Sequence, residues 1–459
     1  MAIGREGKLD SMEKNWASAG AKFVVVYGSH KSGKTELLSE FAEGKHGIFF
    51  YAQKLNSFMN LRLFEKAVSE FSGEEEEFPT WKVAFKRIAD FARDERFLLV
   101  IDNFADLVFE DKNILKDFRN AFENEWRNSN IFVAAGCGRV YFTENEILAE
   151  NSAASLRRPV VYKLEELDYF DAAKLLPKET SSVDKMRYYC CLGGVPEYLS
   201  LVKNGLSFED NIRNIFLKKD APLFDEPPVL FLDELREPEF YNSILFALAK
   251  GSLRINEIVA ETGESSTKVN KYLLTLLQMQ IVSRDIPFGE ENKSSRKGIY
   301  TITSKALAFW FRFVLPNKTA IATGKPVLEN LLGEVDSYIE GKLYEQVCMQ
   351  YMLRKNKQGM LPFLSPVIAG YWSSLKEYSD AKLVAANQRN RQILFAEYRR
   401  SFSEPGEQLL SRLRKNDKLF TEYWERFDML FSIESFPREI RNLENMKLKL
   451  VDIEELYRR

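Results

Sequence analysis

Eight residues, Gly28-Ser29-His30-Lys31-Ser32-Gly33-Lys34-Thr35, constrain this chain more than any other stretch. They read G-x-x-x-x-G-K-T, a phosphate-binding loop whose glycines let the backbone close round an anion. The flanks agree. Phe23-Val24-Val25-Val26-Tyr27 is a buried-strand run, and Glu36-Leu37-Leu38-Ser39-Glu40-Phe41 opens an amphipathic helix. Strand, tight turn and helix N-terminus make an anion site, because backbone N–H groups and the helix dipole converge on one spot. The expected ligand is a nucleoside triphosphate. The backbone of residues 28–35 would cradle its phosphates, Lys34 would reach the β- and γ-phosphates, and the Thr35 hydroxyl would ligate Mg²⁺.

The following residues continue an alternating strand and helix pattern. Ile48-Phe49-Phe50-Tyr51-Ala52 reads as a second buried strand, with helices around Asn60–Glu70 and Thr80–Ala92. Phe97-Leu98-Leu99-Val100-Ile101-Asp102 is an apolar run ended by an acid, the pattern in which the strand-end aspartate holds Mg²⁺. Many ATPases place a glutamate next, to orient and deprotonate the attacking water; here Asn103 stands instead. An amide orients water but accepts no proton, and general-base help is worth roughly 10²–10⁴ in rate. Hydrolysis is therefore expected to be slow, unless another acid such as Asp106 substitutes. Asn130–Gly136 is the next strand, and Cys137, a weak hydrogen-bonder, takes the place of a polar sensor. Arg157 and Arg158 precede the last strand, Pro159-Val160-Val161-Tyr162, and read either as phosphate-charge fingers or as an exposed pair.

At 459 residues the chain is too long for one core, and length suggests about three domains. No apolar run is long enough to span a bilayer, and Met1-Ala2-Ile3-Gly4-Arg5-Glu6 carries charge where a signal peptide needs apolar residues, so a cytoplasmic location without membrane contact is expected. The net charge of −2 means that nucleic-acid contact needs a local basic patch. The four cysteines (Cys137, Cys190, Cys191, Cys348) and two histidines (His30, His46) lack metal-ligand spacing, which argues against zinc.

Past residue 165, helical patterning runs to Cys190-Cys191-Leu192-Gly193-Gly194-Val195-Pro196-Glu197-Tyr198-Leu199, where Gly-Gly stops a helix and Pro196 starts one. Tyr241–Ala249, Ile255–Gly263 and a capped segment from Ser265 read as three helices. Strands near Ile281–Ile286 and Ile299–Ile302 flank a turn with Lys293, Arg296 and Lys297, completing a winged helix-turn-helix pattern. Thr267, Lys268, Asn270 and Lys271 occupy the half of the recognition helix that would contact duplex DNA. Glu257, Glu261, Glu264, Glu290 and Glu291 nearly cancel the local positive charge, so internal packing is an equal alternative.

Gly4-Arg5-Glu6 ahead of the loop, the Gly193-Gly194-x-Pro196-x-Tyr198-Leu199 segment and Phe309-Trp310-Phe311-Arg312-Phe313-Val314-Leu315-Pro316-Asn317 resemble an archaeal-type P-loop ATPase family of the AAA-like/STAND group. That resemblance implies a lid that brings Pro196 near the nucleotide, and a C-terminal domain similar to the PD-(D/E)xK nucleases. Glu345, Asp380 and Glu397 then fall at the acid positions of such a site, with Tyr371 and Trp372 as the aromatic pair before the acidic strand. The sequence departs from that pattern at Arg399, where lysine is expected; an arginine holds phosphate but does not lose its proton. The tail from Gln408 reads as helical, with Leu409, Leu410, Leu413, Leu419, Phe420, Tyr423, Trp424 and Phe427 forming a core stripe.

The expected fold is thus α/β: a P-loop NTPase parallel-sheet core (1–165), a helical lid (166–235), a winged helix-turn-helix (236–318), and an α/β restriction-endonuclease-like domain with a helical tail (319–459). The expected function is slow hydrolysis of Mg·ATP, with ATP and Mg²⁺ as ligands. A nucleotide-gated switch without turnover is the first alternative and a DNA-directed, metal-dependent nuclease the second. Double-stranded DNA and a second copy of the chain stand as the candidate macromolecular partners.

Overall fold

In the computed structural model the described residues are 3–149, 159–225, 237–251, 253–290, 297–325, 327–372 and 381–458. The chain divides into two compact units, residues 1–167 with 195–197, and residues 168–194 with 198–459.

The first unit is built on β1 (Lys22–Gly28), β2 (Gly47–Tyr51), β3 (Phe97–Asp102), β4 (Ile131–Cys137) and β5 (Val160–Leu164). All pair in parallel, in the order β2-β3-β4-β1-β5. A parallel sheet covered on both faces needs strands that are apolar on both sides, which is why β1, β3 and β4 read as unbroken hydrophobic runs. Alternate residues of β1 serve different cores. Phe23, Val25 and Tyr27 pack with Phe64, Phe85, Phe118 and Trp126, whereas Val24 and Val26 pack with Met12, Leu37 and Phe41. The first core belongs to α3 (Ser57–Ser72), α4 (Trp81–Phe91), α5 (Phe104–Glu110) and α6 (Lys112–Glu123), and the second to α1 (Glu6–Trp16) and α2 (Lys34–Ala42). Asn56, Thr80 and Asp111 cap α3, α4 and α6 by accepting from backbone N–H groups of the first turn. The strand order puts β4 between β1 and β3, so the phosphate loop after β1 and Asp102 at the end of β3 flank Gly136.

The second unit begins with α7 (Tyr169–Ala173) and α8 (Ser182–Leu192); α9 (Pro196–Ser200) starts within residues 195–197 of the first unit, and α10 (Phe208–Phe216) follows in the second. Gly193 takes φ 71°, the left-handed value that ends α8 where the sequence predicts a stop. Next come α11 (Pro238–Lys250), α12 (Ile255–Thr262) and α13 (Ser266–Gln278), capped by Ser265, and an antiparallel pair β6 (Val282–Asp285) and β7 (Ile299–Ile302). The aromatic segment lies at the end of α14 (Lys305–Phe309) as a π-helical turn, Trp310–Val314. There Trp310 is buried and donates from Nε1 to Phe224 O at 2.7 Å.

Beyond α15 (Tyr344–Lys357) lies a second five-stranded sheet: β8 (Val367–Gly370), β9 (Leu383–Asn387), β10 (Gln392–Arg399), β11 (Glu425–Ser432) and β12 (Leu448–Asp452). Its order is β12-β11-β10-β9-β8, antiparallel across β8, β9 and β10 and parallel across β10, β11 and β12. The tail is therefore not helical throughout. Only α16 (Gly406–Leu413) and short turns are, and Phe427 sits in a strand. Side chains alternate across this sheet. Glu397 pairs in register with Leu430, which packs with Leu409 and Leu413 of α16. Tyr398 pairs with Phe431 and meets Tyr344 of α15, ring centroids 5.8 Å apart. The two helices thus cover opposite faces of β10.

Candidate functional site

The phosphate loop is shaped by two left-handed residues, Lys31 at φ 62° and Gly33 at φ 87°. Gly28 has no room for a side chain, because a Cβ there would lie 2.2 Å from Leu164 O. Lys34 opens α2 and is 8% exposed; its ammonium donates to Ser29 O at 2.7 Å and Gly28 O at 3.2 Å. Burial pushes that ammonium below the usual lysine range, against the pull of the Asp102 carboxylate. Ser32 Oγ is wholly buried and has no hydrogen-bond partner among the described residues, a polar atom left over inside the loop. Ser29 and His30 are exposed at the rim.

Asp102 is completely buried at the end of β3. Its Oδ2 accepts from Thr35 Oγ1 at 2.6 Å and its Oδ1 from the Asn103 N–H at 2.9 Å. This closeness depends on Gly136, where a Cβ would stand 2.1 Å from Asp102 Oδ1. Asn103 is left-handed at φ 56°, and its amide donates to Ala52 O at 3.1 Å. Asp106, the substitute acid, pairs with Arg139 at 2.7 Å, and that guanidinium also stacks 4.0 Å from the centroid of Phe109.

Pro196 lies against the loop, its Cγ 3.8 Å from the position a Gly33 Cβ would take. Glu197 beside it pairs with Lys31 at 2.6 Å. Arg5, 7% exposed, donates from Nη2 to Ser32 O at 3.2 Å and to Glu165 O, tying the N-terminus to the loop. Cys137, which stands in the sensor's place, is wholly buried, and burial pushes its thiol up to about 12. Sequence reasoning missed Arg139, Glu197 and the positioning contact of Arg5; the one local signal was an arginine two residues past the strand end at Cys137. Arg157 and Arg158 lie outside the described residues.

The other expected sites are less assembled. On α13, Lys268 pairs with Glu264 at 3.1 Å and covers the Phe240 ring, and the Asn270 amide donates to Ser266 O at 2.8 Å. Thr267 and Lys271 are exposed. In the second sheet the acids expected to share a metal are separated. Glu345 is held by Lys342 and by Tyr398 Oη at 3.2 Å, on the α15 face. Glu397 is held by Arg399 and Arg412 on the α16 face, and burial raises its carboxyl against the pull of both arginines. The cause is strand geometry: Glu397 and Tyr398 are neighbours on β10 and project from opposite faces. Asp380, Lys293 and Arg296 lie outside the described residues. Among the described residues no group of three or more His, Cys, Asp or Glu side chains is placed to hold a metal, and no helix is long and apolar enough to cross a membrane.

Comparison with known proteins adds to this geometry. Residues 3–202 match a family described as an ATPase domain predominantly from Archaea, and residues 310–405 match one described as archaeal and bacterial proteins of unknown function. An uncharacterized protein of Methanocaldococcus jannaschii is 26% identical over 400 residues, 86% of this chain and 87% of its own length. The Walker-type ATPase PABY2304 of Pyrococcus abyssi has a similar fold, with a TM-score of 0.53 at 17% identity over 68% of this chain and 96% of that one. The ORC2 protein of Aeropyrum pernix, solved as ADPNP–ADP complexes, gives a TM-score of 0.46 at 13% identity over 74% and 95%. The chain thus carries, over residues 3–202, an ATPase domain of the kind found predominantly in Archaea, set on a P-loop ATPase fold.

Proposed function

We propose that the protein binds Mg·ATP at Gly28–Thr35 and Asp102 and hydrolyses it slowly. The observation that carries this reading is the junction of Thr35 Oγ1 with the buried Asp102 carboxylate at 2.6 Å, directly beside the buried Lys34 ammonium. A hydroxyl and a carboxylate form the hard-oxygen pair that Mg²⁺ takes, and the orphaned Ser32 Oγ adds a polar group inside the same loop. Thr35 and Asp102 would hold the magnesium, which would supply positive charge against the phosphates. Lys34 would exchange the carbonyls of Gly28 and Ser29 for phosphate oxygens, and the loop N–H groups would hold the rest of the triphosphate. Water would attack the γ-phosphate in line, oriented by Asn103. With Asp106 held by Arg139, that acid is not free to take the proton. Arg139 would supply positive charge once released from Asp106, and Arg157 and Arg158 remain proposed fingers.

The same Asn103 geometry favours a second reading, a nucleotide-gated switch whose bound state matters more than its turnover. Single-turnover hydrolysis by the wild type and Asn103→Glu separates the two. A slow ATPase hydrolyses measurably and gains roughly 10²–10⁴ in rate from the carboxylate. A switch binds ATP without hydrolysing it.

For the second unit we keep a lid, a winged helix over α11–α13 with β6 and β7, and a nuclease-like fold without an active centre as proposals, with boundaries at 165, 235 and 318. Thr267 and Lys271 are its candidate contacts to duplex DNA; Lys268 and Asn270 already have partners four residues back, Glu264 and Ser266. A cytoplasmic location and a homo-oligomer belong to the same proposal.

A further inference from the structure

The expected core stripe of the tail contains one residue that is not core. Trp424 is 74% exposed, although its neighbours Tyr423 and Phe427 are buried. It is not loosely placed. Its backbone N–H donates to Arg391 O at 3.1 Å, and the Arg391 guanidinium lies 4.7 Å from its ring centroid. Arg391 belongs to the turn between β9 and β10 and holds φ 53°, a left-handed conformation that any residue but glycine resists. The segment before Trp424 is fixed by Arg426, whose guanidinium donates to Asn416 O, Leu419 O and Phe420 O at 2.8–3.0 Å. A large flat ring therefore stands in water at the end of the second sheet, with its backbone tied to the β9–β10 turn.

The charge around it is one-sided. The two segments that meet at the Trp424–Arg391 contact, residues 388–391 and 414–426, hold six cations (Arg389, Arg391, Arg414, Lys415, Lys418 and Arg426) and three acids (Asp417, Glu422 and Glu425), in a chain whose net charge is −2. Glu425 is engaged by the Gln392 amide at 2.7 Å. Among the described residues none of Arg389, Arg391, Arg414, Lys415 and Lys418 has a carboxylate partner, whereas Lys268 and Lys297 elsewhere in this unit each have one.

We propose that Trp424 and the cations around it form a contact site for single-stranded nucleic acid. One unpaired base would stack on the exposed face of Trp424, and backbone phosphates would lie against Arg389, Arg391, Lys415 and Lys418. The ring decides the class of partner. An acidic peptide needs the cations but not a flat exposed indole, and a duplex offers no unstacked base. None of these residues belongs to the phosphate loop, and no cleavage is implied.

The test is fluorescence anisotropy of a labelled oligo-dT of about 15 nucleotides, titrated with full-length protein at low salt. The expected result is measurable binding that weakens about 5- to 150-fold in Trp424→Ala and is largely kept in Trp424→Phe. Arg391→Gln should lower the slope of log affinity against log salt by about 0.7. Lys34→Ala, which removes the loop ammonium, should leave this binding unchanged. The proposal is overturned by absence of binding, by equal affinity in Trp424→Ala, by a duplex of the same length binding as tightly, or by a polyglutamate peptide competing with the same dependence on Trp424.

Discussion

Replacing Gly136 by alanine should unlock the junction on which the nucleotide site depends. The new methyl would start 2.1 Å from Asp102 Oδ1 and 2.9 Å from Leu38 Cδ1. A carbon–oxygen contact relaxes at roughly 3.3 Å, so the carboxylate or the strand must move by about 1 Å. Asp102 is wholly buried, with Thr35 and the Asn103 N–H already on its oxygens, so it cannot turn toward water. Overpacking of this kind costs about 1–3 kcal/mol, and losing one hydrogen bond to a charged group adds about 1.5–3. A total of about 2.5–6 kcal/mol lowers the melting temperature of a unit this size by roughly 5–24 °C. Thermal unfolding followed by circular dichroism reads that shift, and titration with Mg·ATP reads the accompanying loss of affinity. Gly138→Ala is the control: nothing lies within 4 Å of a Cβ there, and the effect should stay within about 0.5 kcal/mol. A Gly136→Ala protein that melts and binds like the wild type refutes the reasoning, because the carboxylate would then have freedom that the packing denies it.

Two other substitutions probe separate parts of the account. The Asp428 carboxyl is pushed up to about 6, first by burial, with Asn416 donating to it and Asp417 and Glu397 nearby. A free aspartate titrates near 3.9, so the folded state holds this proton more tightly than the unfolded chain does. Its contribution is complete below about pH 4 and is lost as the pH rises through about 6, a fall of about 2–3 kcal/mol. Asp428→Asn should therefore be more stable than the wild type at about pH 7 and no more stable near pH 4, as urea unfolding at the two values will show. Arg5→Ala strips a buried donor from Ser32 O and Glu165 O, at a cost of about 1–3 kcal/mol. Because Ser32 is in the loop, ATP affinity should fall along with melting temperature, and an unchanged dissociation constant would show that Arg5 does not position the loop.

The parts of this structure that could be read in the sequence are those set by adjacent residues. The loop, its flanking strand and helix, Asp102 at a strand end and the glycine stop after α8 are local, and each stands where its pattern places it. The contacts that give the site its geometry join distant residues: Asp106 with Arg139, Lys31 with Glu197, Asp102 with Gly136. No spacing rule announces them: the first and third follow from the strand order β2-β3-β4-β1-β5, and the second from the helix that starts at Pro196. In the tail, leucines and aromatics at helical intervals hid β11, whose Met429-Leu430-Phe431 run is apolar because it is covered on both faces. The expected acid centre fails for a related reason. Glu345 and Glu397 have the right spacing along the chain, but the alternation of β10 sends Glu397 to the face away from α15.

Calorimetric titration of the wild type and Lys34→Ala with Mg·ATP tests the central claim most directly. The buried ammonium beside Asp102 predicts saturable binding by the wild type and about 10- to 150-fold weaker binding by the variant, the loss expected when one charged contact to phosphate is removed. Equal affinities, or no binding by the wild type, would contradict the assignment of Gly28–Thr35 as a nucleotide site.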